Sequence, residues 1–246
     1  MTTALAPMNT HARCKELRNR RYPPEQWPGN IHLQSIVEAG DHGRVLAEIG
    51  CGREARRLRA AAAHYRFSVG LDYEMAITPG ASDRWAVARA DGHRLPLRDQ
   101  SVDVIAMENV VEHLADPVVA LRECARVLRP GGRLIVLTVN LTHPPILIAR
   151  SLPHRVRQWL NRLSTGTRDE DTFPTFYRAN TESTLVEAAR QAGFRPVSVR
   201  YLSGHPQYFM FSVLAYRFGM MIEGFVRRSE RLRRLRHFLH GVFVRN

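Results

Sequence analysis

The 246-residue sequence is poor in several things, and each shortage excludes a class of protein. It has only three cysteines, Cys14, Cys51 and Cys124, odd in number and without ligand spacing. That argues against a disulfide framework and against a cysteine-based zinc site, and no metal centre is expected. No run of about 18 uncharged apolar residues occurs, so no segment reads as membrane-spanning. The first twenty residues lack the apolar core of a secretory signal, and the expected location is the cytoplasm. No internal repeat or low-complexity tract is present. Lysine is nearly missing: Lys15 stands alone among 36 basic residues, so the choice of arginine at any one position carries little information.

What remains is a globular composition, 44% apolar and 24% charged, with a net charge of +13. The charge is unevenly spread. Residues 1–40 carry +2, residues 41–140 carry +1 and residues 141–246 carry +10. A nucleic-acid partner is the first idea that such a balance raises. The basic stretch, however, has no aromatic residues interleaved within its arginine run for base stacking, and no RNA-binding module is recognisable.

Along the chain, "RYPPEQWPGN" reads as a proline-broken arm in an irregular first 40 residues, and "IHLQSIVEAG" as a short helix. Strands are predicted at 44–50, 66–72, 84–91, 101–109 and 133–140, with helices at about 54–65 and 117–128. Short apolar strands alternating with helices indicate βαβ units and a parallel sheet covered on both faces. Residues 141–176, with "THPPILIARSLPHRVRQWLNRL", break the rhythm and read as an inserted lid. "ANTESTLVEAARQAGF" restores a helix, with Asn180 or Thr181 as N-cap and Gly193 past its end, and 195–202 alternates as a strand. The domain division is thus an arm (1–40), a core (41–140), an insertion (141–176), the remainder of the core (177–211) and a helical basic tail (212–246).

"EIGCGREA" (48–55) is the first chemical motif. Gly50, Gly52 and Ala55 satisfy the G-x-G-x-x-G/A pattern of dinucleotide binding, and Asp72 lies where a ribose-binding acid belongs. That pattern alone suggests NAD and an oxidoreductase. Glu48 argues otherwise, because an extra carboxylate at the carboxyl end of the first strand repels a pyrophosphate and attracts a sulfonium-bearing zwitterion. Asp72 can accept from both hydroxyls of a ribose, and Asp91-Gly92, ending the third strand, can accept from an adenine amino group.

These residues, with "GLDYE", "ARADGHRLPLRDQSVDVIAMENVVEHLADP" and "ECARVLRPGGRLIV", resemble the class I S-adenosylmethionine-dependent methyltransferases of the small-molecule type. The resemblance covers residues 40–140 closely and 172–202 loosely. Glu54 stands where the family often has a third glycine. The resemblance implies a Rossmann-like, doubly wound, mostly parallel seven-stranded sheet of order 3-2-1-4-5-7-6, its seventh strand antiparallel and near "YFMFS", a stretch that could equally begin a helix, with an inserted cap and a helical tail. It implies S-adenosylmethionine as cofactor, held by Glu48, Gly50, Cys51, Gly52, Asp72, Tyr73, Asp91, Gly92 and Glu108. The implied activity is methyl transfer to oxygen, nitrogen or carbon of a small-molecule or lipid-like acceptor; NAD-dependent oxidation and RNA-directed methylation are the alternatives.

Candidate bases or acceptor-positioning residues are His205, His113 and Tyr177, with Glu112, His143, His154 and Arg178 as lesser ones. In the tail, Leu232, Leu235, Leu239 and Val242 recur at spacings of three and four with arginines between, which reads as a basic amphipathic helix. Its leucine stripe would pack on the sheet or on a second subunit as a homodimer, or residues 225–244 would lie on an anionic membrane surface at the inner face.

Overall fold

The computed structural model describes residues 9–74, 81–152 and 174–246. These fall into two compact units. One comprises residues 28–74, 81–141, 174–202 and 237–246; the other comprises 9–27, 142–152 and 203–236.

The larger unit is a sheet covered by helices. Helix α2 (Pro28–Glu38; α1 belongs to the second unit) leads into β1 (Asp41–Ile49), α3 (Arg56–Ala61) and β2 (Tyr65–Asp72). A two-residue edge strand β3 (Ala81–Ser82) and β4 (Trp85–Arg89) follow, then β5 (Val102–Glu108), α4 (Pro117–Val127) and β6 (Leu128–Val139). Helix α6 (Glu182–Gln191; α5 is again in the second unit), β7 (Phe194–Leu202) and β8 (Phe238–Arg245) complete it. The strand order is β3-β4-β2-β1-β5-β6-β8-β7. Setting aside the edge pair β3, this is the expected 3-2-1-4-5-7-6 arrangement, and β8 is antiparallel to both neighbours. The order reverses at β1, which pairs in parallel with β2 on one side and β5 on the other. A crevice therefore opens outside the carboxyl ends of β1 and β5, the usual ligand position in a doubly wound sheet.

The local causes are ordinary. In β1, burial sets in at Leu46 and continues through Ile49, as a strand sandwiched between helix layers requires. Asp116 caps α4, accepting from Val119 N–H at 3.1 Å, and Pro117 occupies its first turn. Thr181 rather than Asn180 caps α6, in a reciprocal pair with Thr184, and Gly193 past its end takes φ +88°. Two apolar cores result, one on each face of the sheet: Leu121, Leu185, Phe194, Leu239 and Phe243 belong to one, Ile36, Leu46, Leu58 and Tyr65 to the other.

The smaller unit contains helix α1 (Thr10–Arg21), α5 (Pro144–Ser151) and the 16-residue α7 (Val213–Arg228), followed by a 3₁₀ turn at Glu230–Leu235. Helix α1 lies inside the arm expected to be irregular. Asn9 caps it, but only Cys14 is fully buried, so it has no apolar stripe for a sequence reading to detect.

Two expectations fail at the C-terminus. The seventh strand is not at "YFMFS", where a 3₁₀ turn (Gln207–Phe209) forms instead. It is β8, inside the segment expected to be an amphipathic helix. Leu239 and Phe243 turn to one face of the sheet while His240 and Val242 turn to the other, a period of two that the three-and-four leucine spacing obscured. The gap between β6 and β7 requires a strand, and full pairing on both edges outweighs local helical pattern. Residues 225–244 therefore form no continuous membrane-surface helix. No helix among the described residues is long and apolar enough to cross a membrane.

Candidate functional site

The turn after β1 is latched to its neighbour: the N–H groups of Gly50 and Cys51 both donate to Leu71 C=O, at 2.7 and 3.3 Å. Gly50 and Gly52 take φ of +73° and +66°, the left-handed region that glycine enters freely. A side chain at Gly50 would also strike the Val110 methyl. Gly52 N–H donates to Asp72 Oδ2 at 2.8 Å, and Glu74 N–H donates to Oδ1 at 3.0 Å. Asp72 thus ties the end of β2 to the glycine turn.

Glu48, Gly50, Cys51 and Gly52 line a cavity of about 420 Å³ together with Glu108, Asn109 and the start of α3. Glu48 is buried, 4% exposed, and its Oε2 has no hydrogen-bond partner. Burial pushes its carboxyl up to about 8, against the pull of Arg57 and the Leu58 N–H. Arg57 Nη2 donates to Glu108 Oε1 at 2.6 Å, and burial raises the Glu108 carboxyl too. One buried and one half-buried acid therefore lie beside a single guanidinium, which bonds Glu108, with a Glu48 acceptor atom left over. Such a pocket favours a ligand that brings positive charge.

Asp72, Tyr73, Asp91 and Gly92 lie outside the lining of this cavity, at the ends of the next strands. Tyr73 is 61% exposed, with the Arg89 guanidinium 5.7 Å from its ring centre. Asp91 Oδ1 accepts from His93 N–H at 2.9 Å and pairs with its Nδ1 at 2.9 Å, which holds its carboxyl below the usual range.

A second polar group follows β5. His113 Nδ1 lies 2.9 Å from Pro174 C=O, so that nitrogen donates and carries a proton. Glu112 C=O accepts from the N–H groups of Phe176 and Tyr177, and Tyr177 takes φ +53°. His113 and Tyr177, far apart in sequence, thus meet at one junction. The Glu112 side chain points inward: Asn180 Nδ2 donates to Thr138 Oγ1 at 2.8 Å, and Thr138 donates to Glu112 Oε2 at 2.7 Å.

His205 belongs to the other unit. It is half-buried with Tyr216 Oη 3.4 Å from its Nδ1, and desolvation pushes its pKa down to about 4. His143, also there, has Nδ1 2.7 Å from Leu235 C=O and is lowered by burial. His154 lies outside the described residues, as do residues 153–173 of the insertion. Arg178 is exposed, its guanidinium 5.8 Å from the Phe176 ring centre.

Sequence reasoning missed Arg57, Asn109 and Gly29. Arg57 is one of four arginines between 53 and 59, and only the phase of the short α3 turns it inward. Asn109, at φ +52°, suits the left-handed position that asparagine tolerates. At Gly29, in the first turn of α2, a Cβ would strike the Arg57 guanidinium and lie 3.1 Å from Glu108 Oε1. The "PG" pair was legible, but its neighbour across space was not.

Residues 47–136 match the family model described as a methyltransferase domain. The chain is 35% identical over 147 residues to a probable S-adenosylmethionine-dependent methyltransferase of Mycolicibacterium smegmatis, covering 56% of this chain and 57% of that protein. It is 28% identical over 183 residues to a ubiquinone biosynthesis O-methyltransferase of Cupriavidus pinatubonensis, covering 70% and 65%. The chain therefore spans less than two thirds of either curated relative. In three dimensions it is similar to an S-adenosylmethionine-dependent methyltransferase from Mesorhizobium loti, with TM-score 0.60, 20% identity, and 89% and 98% of the two chains covered.

Proposed function

We propose that this chain is a class I S-adenosylmethionine-dependent methyltransferase that transfers a methyl group to an oxygen atom of a small or lipid-like acceptor. The observation that carries the reading is Glu48: a buried acid with an unpartnered oxygen, beside a left-handed glycine turn, in a cavity at the switch point of the sheet. These residues fit a cationic, zwitterionic cofactor, whose positive charge would favour the ionised form of Glu48, so the NAD reading is not favoured. When bound, S-adenosylmethionine supplies a methyl carbon on a sulfonium that leaves as a neutral thioether.

Glu48, Gly50, Cys51, Gly52 and Glu108 would hold the charged end of the cofactor. Asp72, Tyr73, Asp91 and Gly92 would hold its nucleoside end. Alignment and exclusion of water at such a site supply much of the rate, on the order of 7–11 kcal/mol for well-oriented reactants. The O-methyltransferase relative supports oxygen as the acceptor atom, and a hydroxyl acceptor needs a base, which typically contributes about 10²–10⁴-fold.

His113 is the base we favour, through Nε2, because its other nitrogen is fixed by Pro174 and it follows the strand whose last residue, Glu108, lines the cavity. Tyr177, at the same junction, would position the acceptor. His205 is the second candidate, weakened as a base by its low pKa.

Calorimetry of the full chain with S-adenosylmethionine and NAD in parallel tests the reading. Binding of the first and not the second is expected, and the reverse would overturn it. With an acceptor in hand, His113→Ala should lower turnover about 10²-fold or more without changing cofactor affinity. If His205→Ala does so instead, the base is reassigned.

A further inference from the structure

The outward face of α7 is apolar along its length. Leu214, Phe218, Met221 and Phe225, spaced four, three and four, are 57–79% exposed, while Tyr216, Gly219, Glu223 and Val226 form the buried face. A helix turns about 100° per residue, so these four side chains lie within roughly 60° of one another, with Ile222 at one edge. Exposed Phe211 precedes the helix. A stripe of large exposed apolar side chains on one face marks an interaction surface rather than scattered surface leucines.

The opposite edge of the stripe is basic. Arg217 and Arg228 fall roughly 20–40° around the helix from Met221. Arg228 also lines a small cavity of about 120 Å³ with Arg21, Tyr22, Gly224 and Arg227, which brings three guanidinium groups to one place and no carboxylate. Of the two acids between residues 203 and 236, Glu223 is buried and offsets Arg227 in part, and Glu230 is paired with Arg236. The face therefore presents unneutralised positive charge beside exposed phenylalanine and leucine.

We infer that α7 docks the protein flat on an anionic phospholipid bilayer, with the Leu214–Phe218–Met221–Phe225 stripe in the acyl boundary and Arg21, Arg227 and Arg228 gathered on lipid phosphates. The chemistry matches on both counts: apolar side chains enter the headgroup–acyl boundary, and arginines at the rim keep their aliphatic stems in it and their heads among phosphates. The surface lies upstream of the strand that had been expected to be a basic helix, and the inference does not depend on the identity of the cofactor.

Co-sedimentation of the full chain with vesicles tests it. Phosphatidylcholine vesicles and vesicles of equal parts phosphatidylcholine and phosphatidylglycerol are compared at low and high salt. The protein should sediment with the anionic vesicles at low salt and be released as salt rises. Arg21→Gln with Arg228→Gln should weaken vesicle partition by about thirtyfold, since each arginine near such a surface contributes roughly a factor of five. Phe218→Ser with Phe225→Ser should weaken it at least tenfold. Both pairs are at the surface, and unchanged circular dichroism and S-adenosylmethionine affinity establish that each variant is folded. Failure to sediment with anionic vesicles at low salt overturns the inference. So does vesicle binding that neither pair alters, binding of inorganic phosphate at the arginines without vesicle binding, or a dimer that the phenylalanine pair breaks while vesicles are ignored.

Discussion

Two clusters of buried polar side chains lie at the carboxyl side of the same sheet, and they are resolved differently. Around Glu112 the hydrogen bonds run in one direction, Asn180 to Thr138 to Glu112, so the carboxyl has its donor and the atom left without a partner is the neutral amide oxygen of Asn180. Around Glu48 the accounts do not close: two acids and one arginine leave Glu48 Oε2 without a partner, next to a cavity. A buried polar group with fixed donors rigidifies its surroundings, whereas one left unsatisfied costs stability that a ligand can recover. The first cluster braces the fold; the second is prepared for something that is absent from the chain itself.

Breaking the open cluster should have the largest effect. Arg57→Met removes the guanidinium shared by Glu48 and Glu108. The expectation is a loss of about 2–3 kcal/mol in denaturant unfolding at neutral pH, somewhat below the cost of breaking a fully buried pair because Arg57 retains some solvent. An unchanged midpoint would show that the pair is not coupled to folding.

The pH dependence isolates Glu48 next. Burial raises Glu48 from an ordinary value near 4.5 to about 8. Between those values the folded chain keeps a proton that the unfolded chain has lost, so stability falls as pH rises, by at most about 1.4 kcal/mol per pH unit, and levels off above 8. Glu48→Gln should flatten that part of the stability profile. The part carried by Glu108 and Glu112, whose carboxyls are also raised by burial, should remain. A profile identical to that of the parent would remove Glu48 from the account.

The smallest change is expected in the Glu112 cluster. Thr138→Val deletes the hydroxyl between Asn180 and Glu112 and should cost about 1–2 kcal/mol of stability. Calorimetry should find S-adenosylmethionine affinity unchanged; a large loss of affinity would mean that the two clusters are one site.

Much of the fold was legible in the sequence, for a physical reason. Parallel strands buried on both faces leave continuous apolar runs, and the turns between strand and helix require glycine at fixed places, so β1, β2, β5 and the Gly50–Gly52 turn could be read locally. Glu48 and Asp72 were legible because the carboxyl ends of strands open on the crevice. Three things were decided only in three dimensions. Arg57 turns inward because of the phase of a six-residue helix, against a glycine 28 positions earlier in the chain. His113 and Tyr177 are brought to one junction because His113 bonds Pro174 and Tyr177 N–H donates to Glu112 C=O. And residues 238–245 become a strand, not a helix, because β6 and β7 leave a gap whose unpaired N–H and C=O groups need a partner on each side. Local pattern records what a segment buries. Which neighbours it must satisfy is settled only when the whole sheet has formed.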